Sequence, residues 1–154
     1  MKTSVFLSYR RGVSADLARW LRDNLHQLGV DVFFDVESIN AGRFANIIER
    51  EIQRRDYFVV LLTPETLESE WVRKEIQIAL AARKNIVPIT TQGFAFGNLP
   101  PEIAELAQYS GIPYQYEYAE HEYACAPDNG GVVVGIRLAN IVCNMSCTGP
   151  NDLV

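Results

Sequence analysis

Tyr57-Phe58-Val59-Val60-Leu61-Leu62 is an unbroken apolar run, long enough for one buried strand and too short for a membrane span. A strand apolar on both faces belongs at the centre of a parallel sheet, covered by helices above and below. Thr63-Pro64-Glu65 follows and is expected to open a helical region, with proline at an early position where a missing N–H costs nothing. That region carries Trp71 and Glu75 and should end near Arg83-Lys84-Asn85. Ile86 to Thr90 then reads as the next strand, so the pattern around the central run is strand, helix, strand.

Toward the N-terminus, Ser4-Val5-Phe6-Leu7-Ser8 reads as a short buried strand and Tyr9-Arg10-Arg11-Gly12 as the turn leaving it. Ser14 is expected to cap the following helix. Leu17, Ala18, Leu21, Leu25 and Leu28 repeat at helical spacing until Gly29 stops them. Asp31-Val32-Phe33-Phe34-Asp35 is a second strand. The loop 36–42 leads into a helix whose inward face would be Phe44, Ile47, Ile48 and Ile52. Toward the C-terminus, a loop over 93–101 and a short helix from Pro101 to Gln108 precede a fifth strand, Ile112 to Tyr116. Residues 117–131 lack periodicity, Val132 to Cys143 is expected as a closing helix, and 146–154 reads as a frayed tail. The expected organisation is one domain over 1–145 and a tail over 146–154.

Alternating strands and helices imply an α/β fold, a five-stranded parallel sheet flanked by helices on both faces. The flavodoxin-like strand order 2-1-3-4-5 suits it, and that order places a ligand crevice at the carboxyl ends of the first and third strands. Those ends carry Ser8-Tyr9-Arg10 and Leu62-Thr63. The helix bearing Glu75 follows the third strand, so Tyr9, Arg10 and Glu75 are expected at one crevice.

Within that helix, Trp71 and Glu75 lie four residues apart and point the same way. The apolar arc is Val72, Ile76, Ala79 and Leu80, and Glu75 falls between Trp71 and that arc. A carboxylate there lines a cleft, or it is an ordinary boundary residue of an amphipathic helix.

The chain has 154 residues, 48% hydrophobic and 21% charged, the composition of a soluble globular protein. A net charge of -5 leaves no electrostatic footprint for nucleic acid or anionic membrane. No secretion signal is evident at the N-terminus. Cys125, Cys143 and Cys147 have no zinc-type spacing, and His26 and His121 no paired ligands. Reduced thiols, a cytoplasmic setting and no metal are therefore expected. No Gly-rich phosphate loop occurs, since Gly12 and Gly42 are isolated.

Three stretches, taken in order, resemble the TIR (Toll/interleukin receptor and resistance) family. Val5-Phe6-Leu7-Ser8-Tyr9 resembles its first box. Residues 35–42, with Ile39, Asn40 and Gly42, resemble the loop by which family members assemble. Ser69-x-Trp71-x-x-x-Glu75 resembles its catalytic helix. The chain departs from the family pattern in having Ala41 before the loop glycine and Val72 after the helix tryptophan, and the third family box is not recognisable.

The resemblance to the NAD-cleaving, bacterial type of TIR domain implies an NAD+ nucleosidase or cyclase in immune (anti-phage) signalling or NAD depletion. A non-catalytic scaffold acting by TIR–TIR association is the alternative. NAD+ would be a consumed substrate rather than a resident cofactor, and other TIR domains would be partners. The chemistry suits one carboxylate: the nicotinamide leaves neutral, and the demand shifts to the ribosyl oxocarbenium ion. Glu75 takes that role, with Trp71 shaping and drying the pocket. Tyr9 and Arg10 would contact the nucleotide, Arg10 by its planar fork on phosphate or else as a solvated loop cation. Phe33 stacks on nicotinamide or fills the core. Asp35 contacts ligand or anchors its own loop. Ser69 caps its helix, bonds beside Glu75, or faces water.

Overall fold

The computed structural model describes residues 3–34, 41–109 and 111–114. Five parallel strands form one sheet in the order β2-β1-β3-β4-β5, with β1 Ser4–Ser8, β2 Asp31–Phe34, β3 Tyr57–Leu62, β4 Asn85–Thr90 and β5 Ile112–Pro113. All four pairings are parallel, and Phe6 of β1 stands opposite both Phe33 and Phe58. The central position of β3 follows from its composition: all six of its residues are buried, which only a strand covered on both faces can achieve.

Among the described residues, three α-helices connect the strands: α1 Arg11–Gln27, α2 Ala41–Arg54 and α3 Glu70–Ala81. Side-chain alternation along the strands divides the core in two. Val5, Leu7 and Tyr9 join Val59, Leu61, Ala18, Leu21 and Leu25 of α1 on one side of the sheet. Phe6, Phe58, Val60 and Leu62 join Ile48 and Ile52 of α2 and Val72, Ile76 and Ala79 of α3 on the other.

Helix ends follow local chemistry. Gly29, at φ +80°, stops α1, while the Val30 N–H reaches back to the Leu25 carbonyl at 3.0 Å, the wrap that favours glycine after a helix. Arg83 does the same for α3 at φ +52°, with the Lys84 N–H on the Ala79 carbonyl at 3.0 Å.

Several boundaries differ from the sequence reading. Ser14 does not cap α1: the helix starts three residues earlier, Arg10 is its N-cap without a side-chain bond, and Ser14 is buried inside the first turns. The helical region after β3 is broken into a 3-10 turn, Thr66–Glu68, and α3. Extended backbone at Ser69 (ψ 112°) separates them. Gly42, expected in a loop, lies in the first turn of α2. The segment Pro101–Gln108 is 3-10, with Ile103 departing from helical angles, and β5 stops at Pro113. Asp35, Ile39, Asn40, Tyr116, the expected helix from Val132 to Cys143 and the tail lie outside the described residues.

Candidate active site

Two hydroxyl groups set the path from β3 to α3. The Thr66 Oγ1 accepts from the Thr63 N–H at 2.8 Å and donates to the Leu61 carbonyl at 3.2 Å. The Thr63 and Thr66 hydroxyls also pair with each other at 2.8 Å, so both buried threonines are satisfied internally. Ser69 then caps α3, its Oγ accepting from the Val72 N–H at 3.4 Å, with Glu70 in the first turn where the helix dipole favours an acid. The capping reading of Ser69 is thus the one its hydroxyl fulfils.

These constraints place Glu75 against the sheet. It is 3% exposed, not at the edge of the buried stripe but inside it, between Val72, Ile76 and Ala79. The Ser8 hydroxyl, itself 1% exposed at the carboxyl end of β1, donates a hydrogen bond to Glu75 Oε2. On its outer side Glu75 shares an open cleft with Ala45, Ile48, Trp71, Lys74 and Ile78. Glu75 therefore meets the interior end of β1 through its carboxylate and also contributes to the wall of a cleft between α2 and α3. Trp71 is half-buried, packed against the core on that side, and walls the cleft one turn from Glu75.

The other expected site residues separate around this pair. Tyr9 is buried with Val5 and Leu7 on the α1 side of the sheet, the side away from Glu75. Arg10 is turned toward the 3-10 turn before α3, where its Nη1 donates to the Glu65 carbonyl and to Glu68 Oε2. That pairing, 2.9 Å to a carboxylate 70% exposed, ties the loop after β1 to the loop after β3. Phe33 stacks on Phe6 with centroids 5.3 Å apart, and Phe6 stacks on Phe58 at 5.6 Å. The Arg55 guanidinium lies 5.6 Å over the Phe33 ring, and Phe33 is partly buried against the core.

Sequence reasoning brought Trp71 and Glu75 together and the structure does so too. It did not single out Ser8, although the signal was there. Period-two alternation puts Ser8 on the face of Phe6, and that is the face α3 covers. Lys74, Ala45 and Ile48 were also not singled out as cleft residues, since they meet only once α2 and α3 are docked.

A doubly wound parallel sheet in the order β2-β1-β3-β4-β5 is the flavodoxin-like class. Residues 5–124 match the family model of the TIR domain, and the chain belongs to that family. It is 36% identical over 127 residues to the NAD(+) hydrolase SARM1 of Danio rerio, covering 75% of this chain and 18% of that protein. Against the NAD(+) hydrolase tir-1 of Caenorhabditis elegans it is 32% identical over 128 residues, covering 75% of this chain and 13% of that one. The chain thus spans less than a fifth of the length of these relatives.

Among solved structures, the TIR domains of the activated Roq1 resistosome superpose with a TM-score of 0.65 at 16% identity, covering 78% of this chain and 92% of that one. The CMP N-glycosidase BcmB of Clostridium botulinum gives 0.56 at 21% identity, covering 73% and 88%. At such identities the likeness is one of fold. No helix among the described residues is long and apolar enough to cross a membrane.

Proposed function

We propose that this domain cleaves the nicotinamide–ribose bond of NAD+, with Glu75 as the catalytic carboxylate. One observation carries the reading: a glutamate 3% exposed stands at the carboxyl end of the sheet and also walls the cleft. Burying a carboxylate is costly even where a hydrogen bond offsets part of the lost hydration, so a stable core alone gives no reason for this position. The relatives named NAD(+) hydrolases, above 30% identical across three quarters of the chain, support the substrate.

In the reaction, the bond between ribose C1′ and the pyridinium nitrogen breaks. Its electron pair passes to the nitrogen and cancels the positive charge, so nicotinamide leaves neutral without an acid. Glu75 accepts hydrogen bonds from the ribose hydroxyls, orients the ring and stabilises the positive charge developing at C1′. Water adds to C1′ and loses a proton, giving ADP-ribose; capture by an adenine nitrogen instead gives a cyclic isomer. The cleft bounded by α2 and α3 takes the nicotinamide–ribose end. Arg10 at the first loop then exchanges Glu68 for the diphosphate, a pairing its planar fork suits. Trp71 shapes the pocket around Glu75 and limits bulk water there.

The segment with Ile39 and Asn40, followed by Gly42, docks on a neighbouring copy, so that association in the cytoplasm switches on NAD depletion or an immune signal. The decisive experiment incubates purified protein with NAD+ and measures free nicotinamide. The parent should release it, and Glu75→Gln should release at least a hundredfold less while keeping the parent's circular dichroism spectrum. A Gln variant with parental turnover removes Glu75 from the chemistry. Specific activity should also rise across a hundredfold concentration series, because mass action populates the assembly. A constant value would mean that the site is complete in one chain.

A further inference from the structure

Ser8 occupies the last position of β1 and is paired in register with Val60 of the central strand. β1 is bonded to strands on both sides up to Leu7, and at Ser8 the central strand continues the pairing through Val60. The side chain is 1% exposed, and the neighbours on its face, Phe6 and Val60, are apolar. An apolar residue would suit that face at least as well for packing. Instead the hydroxyl donates to Glu75 Oε2, the group that the proposed reaction requires both charged and correctly aimed.

We infer that Ser8 is the positioning residue of the active site: a fixed donor, mounted on the sheet, that holds the Glu75 carboxylate in the orientation in which it meets the ribose. The inference rests on the NAD-cleaving reading and adds to it a residue that never touches the substrate. Glutamate has three side-chain torsions, and α3 fixes only its Cα. A donor anchored on a different element removes the remaining freedom before substrate arrives. A charged hydrogen bond of this kind is stronger than a neutral one, and its loss corresponds to about a tenfold to hundredfold rate effect. Because the bond acts on the aim of the carboxylate and not on the phosphates, the effect should fall on turnover.

The test compares Ser8→Ala, Ser8→Cys and Ser8→Thr with the parent and with Glu75→Gln, measuring nicotinamide release over a range of NAD+. All rates are taken below each variant's melting transition and expressed per folded molecule. Ser8→Ala should lower kcat about tenfold to hundredfold with KM within about threefold of parent. Ser8→Cys, similar in size but a weak donor, should resemble Ser8→Ala; it answers the same question if the alanine variant does not fold. Ser8→Thr, which keeps the hydroxyl, should recover most of the lost turnover. A merely structural serine would give lower melting temperatures and parental kcat per folded molecule. Loss of activity in Glu75→Gln with parental kcat in Ser8→Ala and Ser8→Cys overturns the role of Ser8 alone. A parent that releases no nicotinamide overturns the reading itself, and the role of Ser8 with it.

Discussion

On the α1 side of the sheet, Val5 and Leu7 of β1 meet Ala18, Leu21 and Leu25 in an apolar cluster; on the opposite side, Phe6 and Ser8 of the same strand meet a helix that inserts a carboxylate. Two buried serines sharpen the contrast. Ser8 bonds to Glu75, whereas the Ser14 hydroxyl on α1 has no hydrogen-bond partner among the described residues. One polar group in the core is built into a pair across two elements, and the other merely fits. Burial alone therefore does not mark function here. Burial with a partner from a different element, beside an open cleft, is what sets Ser8 and Glu75 apart for the proposed chemistry.

The contrast predicts opposite outcomes for two core substitutions. Glu75→Gln should eliminate NAD cleavage, by a hundredfold or more, yet leave the melting temperature unchanged or raised. It keeps the shape and removes a charge whose burial is costly. Parental turnover, or a collapse in melting temperature, would make Glu75 a structural residue and erase the difference between the two faces. Leu21→Ala should do the reverse. Leu21 is fully buried on the α1 side, so its truncation should cost about 2–5 kcal/mol of stability. Turnover per folded molecule, measured below the transition, should stay at the parental value.

Much of this contrast was legible in the sequence because it depends on period. The unbroken run from Tyr57 to Leu62 announced a central strand, and the spacing of Trp71 and Glu75 announced a shared helix face. What escaped was set by long-range packing or by competing local bonds. Ser14 has the chemistry of a cap but is not used as one, since helical backbone already begins at Arg11. Ser69, farther from an obvious start, takes that role because the Thr63–Thr66 hydroxyl pair closes a separate turn before it. Tyr9 was grouped with Glu75 by sequence proximity to the crevice, yet one residue along a strand means the opposite face. Ser8 is the neighbour that bonds to Glu75.

Arg10 tests how far the functional face extends beyond the core. Its contact with Glu68 is exposed on the acid side, and such pairs contribute about 0–1 kcal/mol. Arg10→Ala should therefore lower the melting temperature only slightly but raise KM for NAD+ about fivefold, as expected for a lost phosphate contact. Glu68→Gln is the control, because it breaks the same ion pair and leaves the guanidinium in place. Its KM should remain parental. Matching KM increases in both variants would instead assign Arg10 to holding the two loops together.

The smallest effect, and the sharpest test of the two serines, is Ser14→Ala. The Ser14 hydroxyl is buried without a partner among the described residues, an arrangement that loses hydration without recovering a hydrogen bond. Its backbone N–H already serves the helix, bonding to the Arg10 carbonyl at 3.0 Å, so that bond survives the substitution. Alanine also has the higher helix propensity, by a few tenths of a kcal/mol. Both terms have the same sign, and Ser14→Ala should be more stable by about 0.5–1 kcal/mol, with unchanged nicotinamide release. Chemical denaturation of the parent and variant, at matched m-values, reads this directly. A destabilised Ser14→Ala would show that its hydroxyl is engaged after all, and the two faces would then differ in what their serines hold, not in whether they hold anything.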